Sequence, residues 1–240
     1  MEFDFNFDMD FEVKEQGGNS RYIMPKDHDH LPEKFVKFDN AVKLAKQLRN
    51  DDPALKNRTH ILCDGSFVFG DFVEAFCYEY NCCCKEITIS TLGYSEANII
   101  SLQNLIEGGY IKKLNMITSA MFESHNRGKS GLIMYALEEL DINNIFQMAV
   151  CRDHTKMVLI ETLGGKKICI HGSANFRASD SIERFTIEEN TELYNFEKKW
   201  RDQIIKDYMM IVKDTPGGKK IPHGKCIGGK KYWDSTLKKM

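Results

Sequence analysis

Between His154 and Asn175 the chain carries side chains whose types and spacing suit phosphate chemistry. His154-Thr155-Lys156 leads into apolar Met157-Val158-Leu159-Ile160; a Gly164-Gly165 break and a second short apolar run follow, ending in Gly172-Ser173-Ala174-Asn175. The apolar, β-branched character of 157–160 predicts a strand, and with a period of two His154 and Lys156 project from one face. Residues 166–171 read as the return strand of a hairpin turned at the glycine pair, which brings Ser173 and Asn175 back to the start of the first strand. Imidazole can attack phosphorus covalently, while ammonium and amide groups donate hydrogen bonds to the non-bridging oxygens as charge develops there. Side chains suffice for this chemistry, so neither a metal nor another cofactor is expected.

At these residues the chain resembles the phospholipase D superfamily, whose signature is H-x-K, a carboxylate a few residues on, and then G-S-x-N. His154, Lys156, Gly172, Ser173 and Asn175 match it, and Glu161 stands where the family usually has Asp. The resemblance implies that Glu161 and Gly172 are structural. It also implies a glutamate on the next strand that orients a catalytic histidine; Glu183, in Ser181-Ile182-Glu183-Arg184-Phe185, is the match, with Glu188 and Glu189 as weaker candidates. The conjunction carries the resemblance, because H-x-K alone recurs at His223-Gly224-Lys225 with no G-S-x-N after it.

Two loops are candidates for contacting substrate. His125, Arg127 and Lys129 form a polar, cationic segment after an apolar run, where substrate loops of open α/β sheets commonly sit, with an ordinary solvated loop as the alternative. Ser66, in Asp64-Gly65-Ser66, is a rim element or a plain helix cap. Gly128-Lys129-Ser130 is not a phosphate-binding loop, since the position that requires the earlier glycine holds Glu123.

The elements around these residues alternate. Helices are expected over 40–48, 67–80 and 95–106, with a further one ending near Leu140; strands are expected over 59–63, 86–91, 111–119 and 145–151. A last helix spans 191–212, with Leu193, Phe196, Trp200, Ile204, Ile205 and Met209 as its core stripe. This order predicts an α/β fold: a mixed, mostly parallel sheet flanked by helices on both faces, corresponding to one phospholipase D-like half. The expected organisation is an acidic arm over 1–35, a catalytic domain over 36–212 and a basic tail over 213–240. The tail interleaves Tyr232 and Trp233 with lysines and either follows a phosphate backbone or simply aids solubility.

Composition is compatible with one sizeable core: 42% of the 240 residues are hydrophobic, and the net charge of −2 selects no class of partner. No apolar run reaches the ~18 residues of a membrane span, and the acidic start lacks the basic region of a secretory signal, which together predict a cytoplasmic protein away from membranes. The eight cysteines, including Cys82-Cys83-Cys84, contain no C-x-x-C pair and are expected to be reduced thiols without structural zinc. His28 and His30 lie in the acidic arm and are expected to be solvated.

The family's active site is built from two copies of the motif. Only one is legible here, so the resemblance implies a homodimer in which each subunit contributes one histidine. The reading is therefore a metal-independent phosphodiesterase, a nuclease acting on DNA or RNA through a phosphohistidine. The alternatives are a weak or inactive nucleic-acid-binding module and a phospholipase or phosphatidyl transferase.

Overall fold

The alternation of apolar runs becomes a layered α/β architecture in a computed structural model, which describes residues 33–38, 40–126, 131–177, 181–212 and 219–220. In chain order the elements are β1 (Glu33–Phe38), α1 (Ala41–Asp51), β2 (Arg58–Cys63), α2 (Phe69–Glu79), β3 (Cys84–Thr91), α3 (Glu96–Glu107), β4 (Leu114–Ser119), α4 (Ala120–His125), α5 (Leu132–Glu139), β5 (Phe146–Cys151), β6 (Met157–Thr162), β7 (Lys167–Gly172), β8 (Glu183–Glu189), α6 (Thr191–Tyr208), β9 (Ile211–Val212) and β10 (Lys219–Lys220). Eight strands form one sheet in the order β1-β2-β8-β7-β6-β3-β4-β5.

The β1–β2, β3–β4 and β4–β5 ladders are parallel, and the four ladders from β2 through β8, β7 and β6 to β3 are antiparallel. Six strands consequently point one way, and β6 and β8 run against them. The sheet is mixed, as expected, with most strands pointing one way although four of its seven ladders are antiparallel.

Strand alternation divides the interior in two. Val158 and Ile160 of β6, Ile168 and Ile170 of β7, and Phe185 and Ile187 of β8 join the large core that also contains buried residues of α1, α2, α3 and α5. Met157, Leu159 and Cys169 point the other way and meet Tyr194 and Leu193 of α6. Helices thus cover both faces, because β6 and β7 are apolar on both. The faces of the helices follow from spacing: Ala41, Leu44, Ala45 and Leu48 form the buried stripe of α1, and Asn40 caps that helix by accepting a hydrogen bond from the Lys43 amide at 3.0 Å.

Three elements depart from the periodicity. β1 begins at Glu33, inside the segment assigned to the acidic arm, and pairs in parallel with β2. The helix expected to end near Leu140 is two helices, α4 and α5. α6 stops at Tyr208 instead of reaching Val212, since the Met210 amide bonds the Met148 carbonyl at 2.7 Å and the Gln147 side chain binds both the amide and the carbonyl of Ile211. A helical Ile211 would forgo those bonds to the buried edge of β5. The acidic arm up to residue 32, His28 and His30, and all but Lys219 and Lys220 of the basic tail lie outside the described residues.

Candidate active site

Strand direction gathers the candidate residues at one end of the sheet. β2, β3, β4, β5 and β7 finish there, while β6 and β8 start there: Met157 pairs with both Ser90 and His171, and Cys63 pairs with Glu183. The segment 152–156 leaves the end of β5 and passes β4 and β3 to start β6. It has no ladder of its own, so side chains hold it. Asp153 Oδ1 accepts from the Thr155 amide at 2.9 Å and from the Thr155 hydroxyl at 2.8 Å, an Asx turn around His154. From α6, the buried Arg201 donates through Nε to Ser90 Oγ at 3.0 Å and through Nη2 to Thr155 Oγ1 at 3.3 Å, and it pairs with Glu197.

Within this loop Lys156 Nζ lies 3.0 Å from His154 Nδ1 and donates to the His154 carbonyl at 2.9 Å. His154 itself is exposed. The side-by-side base and cation expected from the spacing are present, supplied by the loop before β6. With Lys156 as donor, Nδ1 is the accepting nitrogen and a neutral ring carries its proton on Nε2.

The second half of the motif is pinned against the first. The Gly172 amide bonds the Lys156 carbonyl at 3.3 Å, and the Ser173 amide bonds the Arg184 carbonyl at 2.8 Å. Gly172 is required by close approach, since a Cβ there would overlap the Arg184 carbonyl and lie 2.6 Å from Phe185 Cα. Ser173 Oγ donates to Glu183 at 2.5 Å and accepts from the Arg184 amide at 3.0 Å. Asn175 buries its Oδ1 without a partner among the described residues. The loop is then anchored where the Phe176 amide donates to Thr91 Oγ1 at 3.0 Å and the Gly70 amide to the Phe176 carbonyl at 3.2 Å.

His154, Lys156, Ser173, Asn175 and Glu183 therefore share one end of the sheet. Within this chain Glu183 accepts from the Ser173 hydroxyl. Glu161 sits at the far end of β6, where it pairs with Lys85 at 2.8 Å. Glu188 is buried further down β8 between Arg58 and His171, and Glu189 pairs with Lys166.

Of the substrate-loop candidates, His125 ends α4 with Nδ1 2.7 Å from the Met121 carbonyl. It lines a cavity of about 700 Å³ together with Leu92–Glu96, Met121, Phe122, Asn126, Leu132 and Arg177. Arg127 and Lys129 lie outside the described residues. Ser66 lines a different cavity, of about 490 Å³, between the starts of α1 and α2, and its amide donates to Asp64 Oδ1 at 3.1 Å.

Sequence reasoning passed over Asp153, Thr155, Thr91 and Arg201. The Asp153-x-Thr155 spacing is a legible Asx-turn signal. The core stripe expected on α6 is not its buried face, since Phe196 and Trp200 are 45% and 46% exposed while the buried residues are Tyr194, Arg201 and Tyr208, and one arginine among the many charges of this helix gives no clear signal of a buried contact.

The structural comparison identifies the fold. Over 70% of this chain and 30% of the other, it superposes on a polyphosphate kinase from Porphyromonas gingivalis with a TM-score of 0.52 at 12% identity. The fold is phospholipase D-like. Weaker likenesses include NucT from Helicobacter pylori (TM-score 0.40, 17% identity, 62% of this chain and 96% of that one) and a phosphatidylserine synthase from Haemophilus influenzae Rd KW20 (TM-score 0.43, 13% identity, 65% and 40%). The chain spans about 30% of the length of the polyphosphate kinase. No family model and no curated protein matches.

Proposed function

We propose that the chain is a metal-independent phosphodiesterase, a nuclease acting on DNA or RNA, whose site is completed by a two-fold copy of itself. The observation that carries this reading is the contact of Lys156 with His154, held at the sheet end where Ser173 and Asn175 also emerge. The nucleic-acid assignment rests on the single motif copy, which the family resemblance associates with dimeric nucleases.

In this mechanism His154 Nε2 attacks phosphorus and forms an N–P bond while the P–O bond to the leaving group breaks. His154 of the partner subunit gives that oxygen its proton. The same partner imidazole then takes a proton from water, whose oxygen displaces His154 from phosphorus and restores both rings. Lys156, Ser173 and Asn175 hold the non-bridging oxygens.

For attack, the proton of His154 must move from Nε2 to Nδ1, where it needs an acceptor. Glu183, adjacent and accepting from the Ser173 hydroxyl, is suited to orient an imidazole across the two-fold axis once substrate takes over Ser173.

The test is to incubate the full chain and His154→Ala with plasmid, single-stranded DNA, RNA and a phosphatidylcholine reporter, all in EDTA. Cleavage of nucleic acid that falls by more than about 10²–10⁴-fold in the variant is expected, because the covalent route is lost together with acid–base help. Binding without cleavage would identify a binding module, and headgroup release a lipid enzyme.

A further inference from the structure

We propose that the cavity between the β3–α3 loop and α4 is a nucleobase pocket, which takes the heterocycle of a nucleotide next to the phosphate at His154. The inference rests on the nuclease reading. Position comes first. Thr91, the last residue of β3, holds the Phe176 amide, and the cavity wall continues directly from it as Leu92–Glu96. Arg177, which also lines the cavity, follows Asn175 by two residues, so their Cα atoms lie within about 7 Å. A substituent on a phosphate held by Ser173 and Asn175 is therefore within reach of this cavity.

The lining offers one accessible ring. Phe122 is half-buried, and Tyr94, 1% exposed, backs it from the core with ring centroids 4.8 Å apart, while Leu132 also lines the cavity. Gly93 lets the Phe122 ring rest on the backbone, since a Cβ there would come within 2.6 Å of it. The aromatic wall is thus set in place before any ligand arrives, and every base offers it a π face.

The rim has a different character. Glu96 and Arg177 bring both signs of charge, while His125 and Asn126 are fixed by bonds to the Met121 and Phe122 carbonyls at 2.7 and 2.9 Å. Glu96 opposes a second phosphate, and an acyl chain would leave the polar rim unused. A neutral ring with donors and acceptors on its edge satisfies both floor and rim.

The experiment alters the ligand first, so it does not depend on a variant folding. Fluorescein-labelled thymidine trinucleotide, and analogues with one abasic sugar at each position in turn, are titrated onto full-length His154→Ala by anisotropy. One abasic position is expected to weaken binding roughly tenfold to a hundredfold, the range seen for lost base stacking, and the other positions little. Phe122→Leu in the same background should weaken the intact probe to a like degree and leave that abasic probe unchanged, with a thermal melt confirming the fold. Equal binding of all four probes, with cleavage by the wild-type chain retained, overturns the pocket and leaves the nuclease reading standing. Absence of both binding and cleavage overturns the two together. Capture of short-chain phosphatidylcholine that depends on Phe122, in place of the trinucleotide, overturns the base assignment in favour of an acyl chain.

Discussion

Arg201 shows how one buried cation can govern residues far from it in sequence. It is 4% exposed, and its guanidinium spans Ser90, Thr155 and Glu197, so α6, β3 and the His154 loop share a single planar donor. Five donors in a fixed fork are the property of arginine that permits this, and lysine reproduces only part of it. Arg201→Met is therefore expected to lower kcat by about 10–100-fold with little change in KM, the cost of a small displacement of the reacting ring. Arg201→Lys should recover part of the loss. Steady-state kinetics on nucleic acid beside a thermal melt checks both, and a fall in KM alone, or an unchanged kcat, would count against a positioning role. In the sequence this residue is one of several charges on α6, beside Lys198, Lys199 and Asp202, whereas His154 and Lys156 announce their partnership by standing two apart. Local pairs are legible because their separation is covalent, and Arg201 meets Ser90 only through folding.

β2, β7 and α6 are tied together by another buried group. Glu188 accepts from Arg58 at 3.1 Å and from the Asn190 side chain at 2.9 Å, and lies 3.3 Å from His171 Nε2; Asn190 in turn caps α6 through the Leu193 amide. Burial alone would push its carboxyl up, but the bonds from His171, Asn190 and Arg58 outweigh it and hold the group at about 2. A carboxylate whose folded value lies below its unfolded one contributes stability that is fully present above the unfolded value, near 4.5. That contribution is lost as pH falls from there through about 2. Urea titrations of wild type and Glu188→Gln at pH 7 and pH 3 should show a wild-type advantage of about 2 kcal/mol at pH 7 that shrinks at pH 3; an advantage independent of pH would refute the linkage. The hairpin of β6 and β7 was readable from its glycine pair and alternation, and so was the apolar face of α1. The end of α6 was not, because the apolar spacing runs on past Tyr208 while Gln147 and Met148 of β5 capture the backbone beyond it.

One chain presents one His154, and the proposed chemistry needs two imidazoles on opposite sides of phosphorus. Activity should therefore belong to the dimer. When wild type is mixed and re-equilibrated with an excess of His154→Ala, specific activity is expected to fall as the square of the wild-type fraction, while sedimentation shows dimers throughout; a linear fall, or full activity in a monomer, would refute the shared site. Among the described residues no helix is long and apolar enough to cross a membrane. The motif, the strand and helix periods and the α/β class could all be read along the chain, because each depends on neighbours a few residues apart. Which strands lie side by side could not. Side-chain alternation reports the face a residue occupies and is silent about the strand beside it, so nothing local places Met157 opposite Ser90, or β8 between β2 and β7. Folding set those adjacencies, and with them the buried Arg201, the close approach that requires Gly172 to be glycine, and the cavity that Arg177 lines together with Leu92–Glu96 and α4, since each arises where segments distant in sequence come into contact.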